Sequence, residues 1–177
     1  MTALRLWQNV EMYSGEVRLC VACNRWVGRA RVAAFFGLIS RLGDGVFWYA
    51  LMIALATFGG ETGRHCALRM AITGLVAAAM YRYLKRWTRR PRPFRAHTQI
   101  VTPVAPLDEF SFPSGHTLHA VSFTIVALAY FPLLAPLLIP FALLVAASRV
   151  VLGLHYPSDV VAATLIGCGL AAVSLQI

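Results

Sequence analysis

Five apolar runs, each close to the length of a membrane span, leave this chain few ways to fold. They cover roughly Val46–Phe58, Cys66–Leu84, Thr117–Leu134, Leu137–Leu152 and Val160–Leu175. A helix needs about 20 mostly apolar residues to cross the hydrocarbon core. Several runs fall short of that, so polar residues at their ends belong near headgroup level. Of the 177 residues 59% are hydrophobic and only 13% charged, about half the charged share of a soluble domain. That apolar surface requires lipid, and no linker, repeat or low-complexity tract divides the chain. The expectation is all-α: a polytopic transmembrane helix bundle of five to six spans, forming one membrane-embedded domain over residues 1–177.

Residues 1–42 read differently. Trp7, Val10, Tyr13 and Val17 recur near helical spacing, while Arg18, Arg25, Arg29, Arg31 and Arg41 break any continuous apolar run. This predicts one or two interfacial amphipathic helices with aromatic and arginine anchors; a tilted span across Ala30–Leu42 is the alternative. Nothing near the N-terminus reads as a signal peptide, because Arg5, Glu11, Glu16 and Arg18 leave no apolar core. Gly59-Gly60 and the Pro132, Pro136, Pro140 series mark tight turns within two helical hairpins. That topology puts the start of the first span, the loop 85–116 and the turn 153–159 on one membrane side.

The net charge of +9 suits anionic lipid headgroups, since the basic residues flank apolar segments. Nucleic acid is excluded as a partner because the aromatics lie inside those segments. Most of the basic residues fall on the loop side, which by the positive-inside rule would face the cytoplasm. Cys20 and Cys23 have redox spacing but neither a second pair nor a βαβ context. Cys66 and Cys168 lie in spans, where cysteine is a small apolar residue.

Three polar clusters interrupt the apolar pattern. The first is Lys85 with Arg92-Pro93, the second Pro113-Ser114-Gly115-His116, and the third Ser148-Arg149 followed by His155 and Asp159. Such groups are costly beside spans unless they act there. Their chemistry suits a phosphoryl group, whose charge sits on oxygens that need fixed cations and hydrogen-bond donors. Lys85 offers a point charge, and Arg92 and Arg149 offer bidentate forks. Ser114 and the Gly115 N–H stand where a helix begins, itself an anion site. Of the two histidines one must be neutral to attack phosphorus and the other must protonate the leaving oxygen. Asp159, four residues after His155, is placed to accept the Nδ1 proton and raise that ring's nucleophilicity. His116 has no such neighbour, which suits the acid. The scheme needs neither metal nor cofactor.

With these spacings, Lys85-(six residues)-Arg92-Pro93, Pro113-Ser114-Gly115-His116 and Ser148-Arg149-(five residues)-His155-(three residues)-Asp159, the chain resembles the type 2 phosphatidic acid phosphatase (PAP2) superfamily. The motif-bearing region, residues 80–165, is about half the chain. Ser40-Arg41-Leu42-Gly43-Asp44-Gly45 also looks familial, though less specifically. The resemblance implies His155 as a nucleophile forming phosphohistidine, Asp159 orienting it and His116 as general acid. Lys85, Arg92, Ser114, Gly115 and Arg149 would bind phosphate. It further implies a six-helix core, metal independence and, for bacterial members, a site facing the periplasm.

The expected function is therefore an integral-membrane lipid phosphatase of the inner (cytoplasmic) membrane. It would hydrolyse a lipid phosphomonoester or diphosphate such as undecaprenyl diphosphate, phosphatidylglycerophosphate, phosphatidic acid or lipid A phosphate. Its partners would be that substrate and membrane lipids. A lipid-to-lipid phosphotransferase and a non-catalytic lipid-binding membrane protein are the alternatives. Arg86, Arg89, Arg90 and Arg95 read as headgroup contacts, and Pro91 and Pro93 as stiffeners of the loop. His119 reads as a hydrogen-bonded helix residue, and His65 and His97 as loop residues without partners. Asp108 and Glu109, just ahead of the second cluster, stand where they could gate entry but are not counted among the site residues.

Overall fold

A computed structural model of the protein describes residues 15–177. The helical pattern of Trp7, Val10 and Tyr13 lies outside the described residues. Those described form helices and turns with no strand among them. In order they are α1 (Gly15–Asn24), a short turn (Arg25–Gly28), α2 (Ala30–Arg41), α3 (Phe47–Phe58), α4 (Gly60–Thr88), α5 (Pro93–Ala96), α6 (Gly115–Tyr130), α7 (Ala135–Val151) and α8 (Pro157–Gln176).

Each of the five apolar runs is largely helical. The helix of the third run stops at Tyr130 and gives way to a short turn at Pro132–Leu134, while most of the others begin ahead of their run or extend past it. Helix α4 is the extreme case, 29 residues long and so about 44 Å at 1.5 Å per residue. Its ends carry Glu61 and Arg64 on one side and Arg82, Lys85 and Arg86 on the other. Three stretches are long and apolar enough to cross a membrane: Ala30–Phe58, Pro132–Val151 and Pro157–Gln176. Helices α4 and α6 pack among them. Outward-facing Phe58, Leu75, Leu133 and Leu165 are exposed, an apolar surface suited to lipid.

The first span starts earlier than its sequence suggested. Helices α2 and α3 run on through Leu42–Val46 and meet at a kink where Gly45 takes φ +131°. The left-handed region is open to glycine at little steric cost. Arg41 and Asp44 at this bend stay exposed, so their charges do not forbid the longer helix. The interfacial reading of 1–42 is thus corrected for its second half, which becomes part of a candidate span. Pro140 is a further correction. It lies inside α7 instead of at a turn, where its missing N–H forgoes one hydrogen bond near the helix start.

Helix α6 sits centrally, packed on α4, α7 and α8, while α3 lies against α4 and α2 against α7. The main apolar core gathers Trp48, Leu55, Met70, Phe123, Leu138, Phe141 and Val145. The Trp48 ring lies 5.5 Å from both Phe123 and Phe141, joining α3, α6 and α7 below the polar end of the bundle. Cys20 is buried in a smaller cluster with Ile100 and Tyr156. Burial pushes its thiol up to about 12, as for a packing residue and not a redox centre.

Candidate active site

The three polar clusters meet at one end of the bundle. Lys85 comes from the last turn of α4, Arg92 from the residue before α5, and Gly115 and His116 from the first turn of α6. Arg149 comes from the last turn of α7, and His155 from the turn into α8. All six line one cavity of about 940 Å³. Lys85, Arg92, Arg149 and His155 are buried. Cations this deep need partners or a purpose.

The turn carrying His155 is tightly made. The Arg149 carbonyl accepts from the N–H groups of both Leu154 and His155, each at 3.0 Å. Gly153 has φ +70°, and a Cβ there would come 2.5 Å from Ile100 Cγ2, so the turn demands glycine. The His155 ring then meets Arg92, whose Nη1 is 3.2 Å from Nε2. Arginine only donates, so Nε2 accepts and the proton is assigned to Nδ1. Burial, reinforced by the charges of Arg92, Arg149 and Lys85, holds this imidazole well below its ordinary value near 6.5. His155 is therefore neutral at pH 7 with a lone pair on Nε2.

Asp159 stands behind that ring, but not as the sequence suggested. Its Oδ2 is 3.6 Å from His155 Nδ1, outside hydrogen-bond range. The same oxygen accepts from the Tyr156 N–H at 2.9 Å, capping α8. Its Oδ1 takes Arg90 Nη1 at 2.7 Å. Asp159 is thus a carboxylate close to Nδ1 and not its hydrogen-bond acceptor. Arg90 corrects the sequence reading outright. It is buried and not a headgroup contact, donating to Ser158 Oγ at 2.7 Å and to Glu16 Oε2 at 3.0 Å. It also stacks 4.1 Å over the Tyr156 ring. Arg86, Arg89 and Arg95 are exposed as expected.

Ser114 does not line the cavity. It is the N-cap of α6, accepting from the Thr117 N–H at 3.4 Å and pairing with Thr117 Oγ1 at 2.9 Å, which leaves Gly115 and His116 as the cavity-lining residues of that motif. His119 also lines the wall, hydrogen-bonded to the Gly74 carbonyl at 3.2 Å. His97 meets Tyr156 edge-on, with centroids 6.2 Å apart.

Two carboxylates complete the site. Asp108 pairs with Lys85 Nζ at 2.6 Å and with Arg92 Nη2 at 2.8 Å, while its backbone carbonyl accepts from Arg92 Nε at 3.1 Å. Burial would raise its carboxyl, but the hydrogen bonds and charges of Lys85 and Arg92 outweigh it and hold Asp108 below its ordinary value. Asp44, at the α2–α3 kink, places Oδ1 3.4 Å from His116 Nε2. From the same segment Ser40 Oγ accepts a hydrogen bond from Arg149 Nη1. The Ser40–Gly45 stretch is therefore a fourth wall, and its familial look was the signal for it. Nothing in the sequence singled out Glu16, whose other oxygen accepts from the Ser158 N–H at 2.7 Å.

Fold and site together define a class: a polytopic helical membrane protein with a cavity lined by buried cations at one end of its bundle. The chain belongs to the PAP2 superfamily, whose family model matches residues 45–177. It is 32% identical over 165 residues to a decaprenylphosphoryl-5-phosphoribose phosphatase of Mycobacterium tuberculosis, covering 90% of this chain and 88% of that one. It is 34% identical over 119 residues to the undecaprenyl-diphosphatase BcrC of Bacillus subtilis, covering 67% of this chain but only 61% of that protein's length. Among solved structures it is similar to LpxE of Aquifex aeolicus, with TM-score 0.80 and 25% identity over 95% of this chain and 99% of that one. A PAP2-type phosphatidylglycerolphosphate phosphatase from Bacillus subtilis shares the fold, with TM-score 0.75 and 22% identity over 98% and 90% of the two chains.

Proposed function

We propose that the protein is an integral-membrane lipid phosphatase that removes a terminal phosphate, as monoester or diphosphate, from a lipid through a phosphohistidine on His155. The observation that carries this reading is the shape of the cavity. Along α4 it is lined by Ala71, Gly74, Ala78, Tyr81 and Lys85, a stripe about 21 Å long at 1.5 Å per residue. Trp48 and Met52 of α3 continue its apolar wall. One cavity thus joins buried cations to an apolar trench, as a phosphate on a lipid tail requires. Two of the relatives named above are an undecaprenyl-diphosphatase and a decaprenylphosphoryl-5-phosphoribose phosphatase, which favours a lipid phosphate as substrate.

In this reading Lys85, Arg92, Arg149 and the Gly115 N–H hold the phosphoryl oxygens. His155 Nε2 attacks phosphorus while the bond to the leaving oxygen breaks, and His116 gives that oxygen its proton. Asp159 offsets the positive charge that builds on the His155 ring. Water, deprotonated by the now neutral His116, then cleaves the P–N bond and releases inorganic phosphate. Every charge that develops is met by a side chain of this chain.

Purified protein assayed with EDTA across these lipid phosphates should release inorganic phosphate without an acceptor lipid. His155→Ala and His116→Ala should each lower kcat by roughly 100-fold or more, with KM less affected. Wild-type rates in both variants would sink the mechanism. Phosphate recovered only on a second lipid would make the protein a phosphotransferase.

A further inference from the structure

We infer that Asp108 is a specificity residue, a tethered anion that holds Lys85 and Arg92 until a dianionic phosphate displaces it, and that thereby turns away phosphodiester headgroups. This rests on the reading of Lys85 and Arg92 as phosphate ligands.

The geometry is that of a bound anion. One carboxylate oxygen sits on Lys85 Nζ at 2.6 Å and the other on Arg92 Nη2 at 2.8 Å, short charge-assisted contacts of the kind phosphate oxygens make. The two cations beneath are almost fully covered, while 38% of the Asp108 side chain remains exposed. Asp108 therefore caps them from the aqueous side. Arg92 turns Nη1 to His155 Nε2 and Nη2 to Asp108, so a phosphate reaching that nitrogen competes with Asp108 for one guanidinium.

Charge decides which ligands can do so. A phosphodiester carries a single negative charge, as Asp108 does, and exchanging one for the other gains no electrostatic energy. Asp108 has the further advantage of being tethered, hence at high effective concentration. A phosphomonoester carries about −1.5 to −2 at neutral pH and three acceptor oxygens, enough to win the exchange. A protein surrounded by phosphodiester lipids has use for such a filter. The same carboxylate, returning to the cations, helps expel the inorganic phosphate product.

The test uses purified wild-type protein and Asp108→Asn in neutral-detergent micelles, with inorganic phosphate and phosphatidylglycerol as inhibitors and phosphatidylcholine as control. Asp108→Ala serves the same purpose if the Asn variant does not fold. Removing the carboxylate should lower the inhibition constant of inorganic phosphate by roughly tenfold or more. It should also make phosphatidylglycerol, but not phosphatidylcholine, an inhibitor, and Asp108→Glu should restore wild-type behaviour. An unchanged or raised inhibition constant would overturn the inference, making Asp108 a prop for the cations. Lys85→Met and Arg92→Met separate the two readings. If they leave phosphate inhibition untouched, the phosphate-site assignment itself fails. If they weaken it while Asp108→Asn does not tighten it, only the filter fails.

Discussion

Asp44 carries a consequence for the acid step. As the proposed general acid His116 must hold a proton, although burial first, and then the charges of Arg149, His155, Lys85 and His119, hold its imidazole well below the ordinary value. Asp44, 3.4 Å from His116 Nε2, is the carboxylate placed to keep that proton on the ring. Asp44→Asn should therefore lower kcat on alkyl lipid phosphates roughly ten- to 100-fold, at or below the 10²–10⁴ range of a whole acid–base group. An aryl phosphate, whose leaving oxygen needs no proton, should be spared. Equal losses on both substrates, measured as kcat, would reduce Asp44 to a structural role. Residue types were well announced by sequence here, but pairings were not. Arg90 lies in a run with Arg86, Arg89 and Arg92, and spacing alone does not tell which of these turns inward. Its burial is decided by Glu16, Ser158 and Asp159, each about 70 positions away in the chain.

Helices were legible wherever an apolar run was uninterrupted, and misjudged where small or charged residues intervened. The joint of α2 and α3 shows why. Arg41 read as an interruption, yet Gly45 supplies a bend just beyond it and the charges of Arg41 and Asp44 remain at the surface. Between α3 and α4 the controlling residue is again small. A Cβ on Gly63 would stand 2.0 Å from the Leu55 carbonyl oxygen, so the two helices touch backbone to backbone there. Gly63→Ala should force them apart and cost about 1–3 kcal/mol, as overpacking does. Gly169→Ala in α8, with nothing within 4 Å, should be neutral or slightly stabilising. Thermal unfolding midpoints in detergent, compared for the two variants, test this; equal midpoints would show that the α3–α4 contact is not tight.

For the whole molecule, hairpin counting foretold that three polar clusters would meet at one end, because span order fixes which loops share a side. It could not foretell that α1 reaches across that end. Asn24 bonds to Val101 and to the Val151 carbonyl, and Glu16 holds the start of α8, contacts with no local sequence signature. The trench beside α4 sets a length scale of its own. Its 21 Å or so falls short of the roughly 30 Å hydrocarbon core, so a long tail touches protein only along its first part and finishes among lipids. The enzyme should thus be a poor ruler: kcat/KM should rise with tail length while the trench fills and level off beyond it. A homologous series of lipid phosphates would show the plateau, and a continuing rise would mean that more of the tail is held. Such an enzyme reads the head of its substrate and the stem just below it, and is blind to how far the rest extends.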